Sequence, residues 1–302
     1  MIKLKQKVIF CFYFDRKETH MHKIVYKKQL SHDMFWLEFE APFIAAKAKP
    51  GQFIIFRVDE FGERVPITMA ASNKEKGTIT IIFQTVGRST MLLSQLEVGD
   101  FINDAVGPLG KPTEVEGRKK VCVVGGGTGN ALAYPVAAGF KAAGAEVDMV
   151  SGFKEKRLIV LQEEFEKLVD NYYLVTDDGS AGEKAFTTDK LKSLIEAGNQ
   201  YDEVITVGPP IMMKFVAKTT EPFGITTIAS LSALMIDGTG MCGGCRISYD
   251  GETKYVCVDG PEFDASKVDW DVLIARNAYY AEEEKEAREH VCRLTGGVRH
   301  YE

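Results

Sequence analysis

Val121-Cys122-Val123-Val124-Gly125-Gly126-Gly127-Thr128-Gly129-Asn130 is the stretch that decides the fold of the chain's second half. Four apolar residues bounded by a turn signal read as a short buried strand. The glycines after them allow a sharp turn without a Cβ conflict, and a stretch of helical composition opens at Ala131. A strand that runs through glycines into a helix start lets a phosphate reach backbone N–H groups at the positive end of the helix. Tight packing alone also uses such turns, so this one reads as a nucleotide loop or as a structural corner. As a dinucleotide fingerprint it is incomplete. Asn130 stands where a third glycine belongs, and the next strand ends in Ser151-Gly152 rather than an acidic ribose ligand.

Downstream the same rhythm recurs. Glu146–Val150, Tyr172–Thr176, Glu203–Val207 and Ile225–Ser230 are buried-type strands that alternate with helical stretches, which implies an α/β domain with a parallel, helix-covered sheet. Upstream, from Phe35 to about Val106, the runs are short and alternating, as in Phe35-Trp-Leu-Glu-Phe-Glu and Thr78-Ile-Thr-Ile-Ile-Phe, with Pro and Gly between them. That pattern reads as an antiparallel β-barrel or sandwich. The expected organisation is an N-terminal extension over 1–20, a β-barrel over 21–114, the α/β domain over 115–230 and a small C-terminal region over 231–302.

With 302 residues, 45% hydrophobic and 26% charged, the chain is long enough for two or three domains with cores of their own. The net charge of −6 comes from interspersed acids and bases. No basic stripe interleaved with aromatics stands out, so nucleic acid is not an expected partner. No apolar run approaches the roughly 18 residues of a membrane span. Lys3, Lys5 and Lys7 before Val8 to Phe14 imitate a signal peptide. The apolar run is short, however, and Asp15-Arg16-Lys17 follows without a small-residue cleavage site. The expectation is a cytoplasmic protein whose first 20 residues are dispensable.

Of the six cysteines, three fall in Asp237-Gly-Thr-Gly-Met-Cys242-Gly-Gly-Cys245 and, after Arg246 to Val256, Cys257. Thiols this close in a cytosolic chain favour a metal over a disulfide. Three thiolates and the Asp237 carboxylate satisfy tetrahedral zinc as well as an iron-sulfur cluster, and Asp-Gly is also a common turn pair. A metal would stabilise a tail too small to hold together by core burial. Cys122 in an apolar strand and Cys292 in the helical stretch Ala281 to Arg293 read as small hydrophobes. The five histidines, His20, His22, His32, His290 and His300, fall outside every motif, so the chemistry must come from cofactors rather than catalytic side chains.

Within the barrel, Arg64-Val65-Pro66-Ile67-Thr68 follows a strand, and Gly87-Arg88-Ser89-Thr90 opens a helix through Met91 and Leu92. Arginine grips pyrophosphate with two N–H groups, and Ser89 and Thr90 can cap the helix while facing an anion. A solvated turn is the plain alternative for Arg64.

The order of these motifs resembles the ferredoxin reductase superfamily: a barrel with Arg-x-Pro-x-Thr, then Gly-x-Ser-Thr at a helix start, then Gly107-Pro-Leu-Gly110, then the Gly125–Gly129 turn. Asp177-Asp178-Gly-Ser-Ala-Gly-Glu-Lys and Gly208-Pro209-Pro210-Ile-Met-Met extend the likeness over nearly everything from Met21 onward. The cysteine segment is similar to that of electron-transfer subunits such as the one of dihydroorotate dehydrogenase B, with Asp237 at the first cysteine position. That departure resembles the small subunits of electron-bifurcating NADH-dependent ferredoxin:NADP+ oxidoreductases, also named sulfide dehydrogenases. The resemblance implies FAD in the barrel, NAD(H) on the α/β domain and a 2Fe-2S cluster held by Asp237, Cys242, Cys245 and Cys257. It implies hydride transfer from NADH to the flavin N5 and single electrons to the cluster. Arg64 and Gly87, Arg88, Ser89 and Thr90 would hold the pyrophosphate, Val65 would belong to the same cofactor-binding motif, and Pro66, Ile67 and Thr68 would border the isoalloxazine with Thr68 near N5. Gly125, Gly126, Gly127, Thr128 and Gly129 would approach the nucleotide, while Asp177, Asp178, Gly208, Pro209 and Pro210 would line its nicotinamide side. Lys154, Lys156 and Arg157 leave NADP open on charge alone. A larger partner with another flavin and 4Fe-4S clusters is also implied. Two alternatives stand beside this reading: an electron-transfer subunit for dihydroorotate or another substrate dehydrogenase, and a zinc-stabilised regulatory subunit with a degenerate nucleotide site.

Overall fold

The computed structural model describes residues 21–286. The 1–20 extension, Cys11, Cys292, His20, His290 and His300 lie outside the described residues, as does the end of the expected Ala281 to Arg293 helix, of which 281–286 is helical.

Seven strands, β1 His22–Gln29, β2 Met34–Glu40, β3 Phe53–Arg57, β4 Val65–Asn73, β5 Thr78–Gln84, β6 Phe101–Ile102 and β7 Asp104–Leu109, form one antiparallel sheet. Their order is β6-β1-β2-β5-β4-β3-β7. β6 and β7 lie at opposite edges, yet Ile102 and Asp104 are two positions apart in the chain and so within about 7 Å. The sheet must therefore curl until its edges meet, as a barrel does. Register shifts at Ile24/Tyr26, Phe53/Ile55 and Met69/Ala71 mark irregularities of the bulge type that sharpen strand bending. Ile24, Leu37, Phe39, Ile54, Phe56, Ile79 and Ile81 fill the interior. Two short helices, α1 Pro42–Ala45 and α2 Arg88–Gln95, interrupt the strands.

The second sheet has the order β11-β10-β9-β8-β12-β13-β16. Its strands are β8 Lys120–Gly126, β9 Glu146–Phe153, β10 Asn171–Thr176, β11 Glu183–Lys184, β12 Glu203–Val207, β13 Thr227–Ser230 and the late β16 Glu262–Asp264. All neighbours are parallel except β13 and β16. Helices α3 Gly129–Ala142, α4 Gln162–Leu168, α5 Thr187–Glu196 and α6 Pro210–Thr220 follow strands in the expected alternation. The central strands are apolar on both faces because both are covered. Val121, Val123 and Ile205 pack with Val136 and Phe140 of α3, and Cys122, Val124 and Val204 with Leu191 of α5 and Val216 of α6. Strand order reverses between β8 and β12, where open α/β sheets bind ligands beyond the carboxyl ends of their strands.

Beyond β13 the chain forms the hairpin β14 Arg246–Tyr249 and β15 Glu252–Tyr255, then α7 Val256–Asp259, β16 and α8 Trp270–Asn277. The expectation that this tail lacks a core needs correction. Leu231, Met235, Ile247, Val256, Phe263 and Leu273 form one apolar cluster with Phe53 and Ile55 of β3 and Met213 of α6. The tail borrows walls from both larger units, which sequence composition cannot reveal. No helix among the described residues is long and apolar enough to cross a membrane.

Candidate flavin, nucleotide and metal sites

A cavity of about 280 Å³ lies between β4, β5, the start of α3 and the segment after β13. Val65, Pro66, Ile67, Thr68, Thr90 and Thr128 line it. Of the expected flavin residues, Arg64, Gly87, Arg88 and Ser89 are not in the wall. Sequence reasoning missed Ala131 and Leu132 on α3, Ser230 at the end of β13, and Leu231 and Met235 after it. Ser230 ends a parallel strand at its carboxyl end, and that position was the signal. The wall is mostly apolar, with Thr68, Gln84, Thr90, Thr128, Ser230 and Ser232 as its polar residues, which suits a flat heteroaromatic ring needing a few hydrogen-bond partners.

Beside the cavity, Gly87 is the N-cap of α2. Thr90 Oγ1 accepts the N–H groups of Val86 and Gly87, both at 3.1 Å, and donates to the Gly87 carbonyl at 3.0 Å. The Ser89 hydroxyl donates to Glu63 at 2.9 Å, so it faces a carboxylate. Arg64 Nη2 stands 3.8 Å from Asp104 Oδ2, which Arg57 approaches at the same distance. Long ion pairs of this kind hold a partly exposed guanidinium weakly.

The second group of expected residues meets at the carboxyl ends of the parallel strands. Gly125 and Gly126 end β8, Gly127 turns at φ +55°, Thr128 is the N-cap of α3 and Gly129 its first residue. A Cβ on Gly129 would sit 2.2 Å from the Val207 carbonyl oxygen, so glycine lets α3 start against the end of β12. The close-packing glycine is therefore Gly129, not position 130. Gly208 leaves β12 opposite Gly126, and Pro209 and Pro210 open α6, where a missing N–H costs nothing. Asp177 and Asp178 follow β10. The Asp178 carboxylate accepts the hydroxyl of Ser180 at 2.6 Å and its N–H at 2.9 Å, and these bonds hold its carboxyl below the usual range. Of the three basic residues after β9, Arg157 is already paired with Glu155 at 2.8 Å.

The metal candidates lie on the loop before β14 and on α7. Asp237 Oδ1 accepts the Thr239 N–H at 3.0 Å and Oδ2 the Cys242 N–H at 2.9 Å, bonds that lower its pKa. The Cys242 Sγ is 3.5 Å from Asp237 Oδ1 and exposed, whereas the buried Cys245 and Cys257 sulfurs are 3.2 Å apart. Among the described residues no three His, Cys, Asp or Glu side chains gather around a single ion. The four donors meet two by two instead. Two sulfurs on one tetrahedral metal at ~2.3 Å stand about 3.8 Å apart, so the Cys245 and Cys257 sulfurs, at 3.2 Å, would move slightly apart to share one. Two such pairs fit the two irons of a 2Fe-2S cluster better than one zinc. Gly244 N and Cys257 N point at the Cys242 and Cys245 sulfurs, both at 3.5 Å, as amides around cluster sulfur do. Burial, helped by the Cys245 sulfur, pushes the Cys257 thiol up to about 12, and a bound metal would favour its thiolate. Gly238, at φ +76°, packs against Leu109 and Ile55, which fixes this loop on the barrel.

Both the cysteine segment and the chain as a whole are similar to known proteins. The iron-sulfur cluster binding domain of dihydroorotate dehydrogenase B matches residues 232–269. The chain is 42% identical over 278 residues to a dihydroorotate dehydrogenase B (NAD(+)) electron transfer subunit homolog of Thermotoga maritima, covering 92% of this chain and 98% of that one. It is 31% identical over 250 residues to the dihydroorotate dehydrogenase B (NAD(+)) electron transfer subunit of Fusobacterium nucleatum, covering 80% and 95%. A chain from the solved structure of the NADH-dependent reduced ferredoxin-NADP oxidoreductase, studied for flavin-based electron bifurcation, superposes with a TM-score of 0.84 at 41% identity, covering 89% of this chain and 97% of that one.

Proposed function

The chain belongs to the family of dihydroorotate dehydrogenase B electron transfer subunits and their homologues, and from that premise we propose that it exchanges hydride with NAD(H) through FAD and passes single electrons through a 2Fe-2S cluster. The partner is a larger subunit with a further flavin and 4Fe-4S clusters, in an electron-bifurcating NADH-dependent ferredoxin:NADP+ oxidoreductase. Bound FAD supplies the conversion between two-electron and one-electron transfer, and the cluster carries one electron at a time. The protein's own part is to hold these groups in line.

In this reading 21–114 binds FAD, 115–230 binds NAD(H) and 231–302 holds the cluster. Val65 to Thr68 and the start of α3 grip the isoalloxazine from two sides, with the Thr68 hydroxyl toward N5. Arg64 and the α2 N-terminus take the pyrophosphate. The observation that carries the proposal is the continuity of cavity and donor set. Met235 is in the cavity wall, and Asp237, two residues on, is within about 7 Å along the chain. Around the exposed Cys242, Leu234, Ile236 and Met241 are also exposed, Met241 at 89%. An uncovered apolar rim beside an electron exit is the surface on which the larger subunit docks.

Asp237 in place of a fourth cysteine favours the bifurcating assembly. The match of the cluster segment to dihydroorotate dehydrogenase B keeps a second reading, service to a dihydroorotate or other substrate dehydrogenase. Native purification with the bound partner, followed by FAD, iron, sulfide and zinc analysis, tests both. The expected result is FAD with two irons and two sulfides per chain, on a partner rich in iron. Zinc without iron would overturn the cluster, and a partner without iron would favour the second reading.

A further inference from the structure

We propose that Asn130 is a positioning residue for the nicotinamide nucleotide, its side-chain amide setting the Gly127 turn so that backbone N–H groups face the ligand. Asn130 is fully buried in the first turn of α3. Its Nδ2 donates to the Gly127 carbonyl at 2.9 Å and toward the Gly152 carbonyl at 3.4 Å. The Gly127 N–H also goes to the Gly152 carbonyl, at 2.8 Å. The pairing of β8 with β9 ends at Gly126 and Gly152, so this side chain continues the connection where the ladder stops.

Both neighbours of Nδ2 are acceptors, which fixes the amide orientation. The C=O and N–H of one trans peptide point in opposite directions. Holding the Gly127 carbonyl against Asn130 therefore turns the Thr128 N–H away from the buried side, toward the open end of α3. Three successive glycines have little conformational preference of their own, and the Asn130 side chain shares the restraint on the Gly127 carbonyl with its own backbone N–H, which reaches that oxygen at 3.2 Å. The other half of the amide argues against a packing role alone. Asn130 Oδ1 is buried with no hydrogen-bond partner, next to Gly125. An apolar side chain would fill the space without that cost, so the oxygen is tolerated for what the nitrogen does.

This inference rests on the reading that 115–230 binds NAD(H). The test compares the wild type with Asn130→Leu, which keeps bulk, and Asn130→Ser, which keeps polarity without the reach. NAD+ binding to the oxidised holoprotein is measured by calorimetry, and thermal stability and FAD and iron content are measured in parallel. The expected result is a Kd for NAD+ raised about tenfold in both variants, with FAD and iron retained and the flavin-reduction rate at saturating NADH within about twofold of wild type. Unchanged NAD+ affinity in either folded variant, whether or not its melting temperature falls, overturns the assignment. A wild type that binds no NAD(H) at all would sink the nucleotide reading instead.

Discussion

Asp237 Oδ2 accepts the Cys242 N–H and the Thr239 hydroxyl, while Oδ1 accepts the Thr239 N–H and the Cys242 thiol, so loss of the thiol proton frees a lone pair on Oδ1 with which to meet an iron. Turn residue and ligand are therefore compatible roles for one side chain. Replacing it by a softer thiolate, Asp237→Cys, is expected to retain the cluster and move its potential by on the order of 100 mV. Potentiometric titration of the cluster's electron paramagnetic resonance checks this, and an unchanged potential and spectrum would leave Asp237 with the turn alone. The four donors were legible in the sequence because Cys-x-x-Cys and Asp-Gly spacings are local. Their sorting into Cys245 with Cys257 and Asp237 with Cys242 was not, because it depends on the β14–β15 hairpin carrying Cys257 back to Cys245. Asn130 was visible only as a defect in a glycine pattern, since its meaning lies in two carbonyls, one of them on another strand.

At the scale of elements, the junction of β8, α3 and β12 is the tightest contact that the site depends on. Gly129→Ala would force a methyl group into the Val207 carbonyl and push α3 off the sheet. The expected cost is about 1–3 kcal/mol in urea unfolding, together with weakened FAD retention, because Thr128, Ala131 and Leu132 wall the cavity. Stability within a few tenths of a kcal/mol of wild type would show that the helix start can shift freely. The strands of both sheets were readable because burial on both faces gives apolar runs and burial on one gives alternation. The tail's elements were not: β14, β15 and β16 are only three or four residues long and sit among Gly, Asp and Cys. β16 pairs with β13 across more than thirty intervening residues, a contact no local pattern announces.

Across the whole molecule, three units meet at Glu262. This half-buried carboxyl on β16 accepts the Thr113 hydroxyl at 2.7 Å and lies against Gly51 of the barrel. Burial first, with Glu203 and Glu114 nearby, raises it to about 7 against the opposing Thr113 bond. Its folded pKa exceeds its unfolded one, so the native state binds the extra proton, and stability falls as pH rises from about 4.5 through 7. Glu262→Gln, which keeps the Thr113 contact, is expected to flatten that fall and to gain about 1–2 kcal/mol at pH 8 relative to wild type. Urea unfolding of both proteins at pH 5.5 and 8 reads the difference, and parallel pH profiles would exclude Glu262 as its source.

The same junction brings the flavin cavity, the crest of the parallel sheet and the cysteine loop into one sequence of sites, and the proposed electron route follows it. Anaerobic titration of the purified native complex with NADH, monitored by flavin absorption and by electron paramagnetic resonance, tests that route most directly. The account predicts that NADH bleaches the flavin of this subunit and that a reduced 2Fe-2S signal then appears. A subunit that retains flavin and metal but stays oxidised under excess NADH would contradict it.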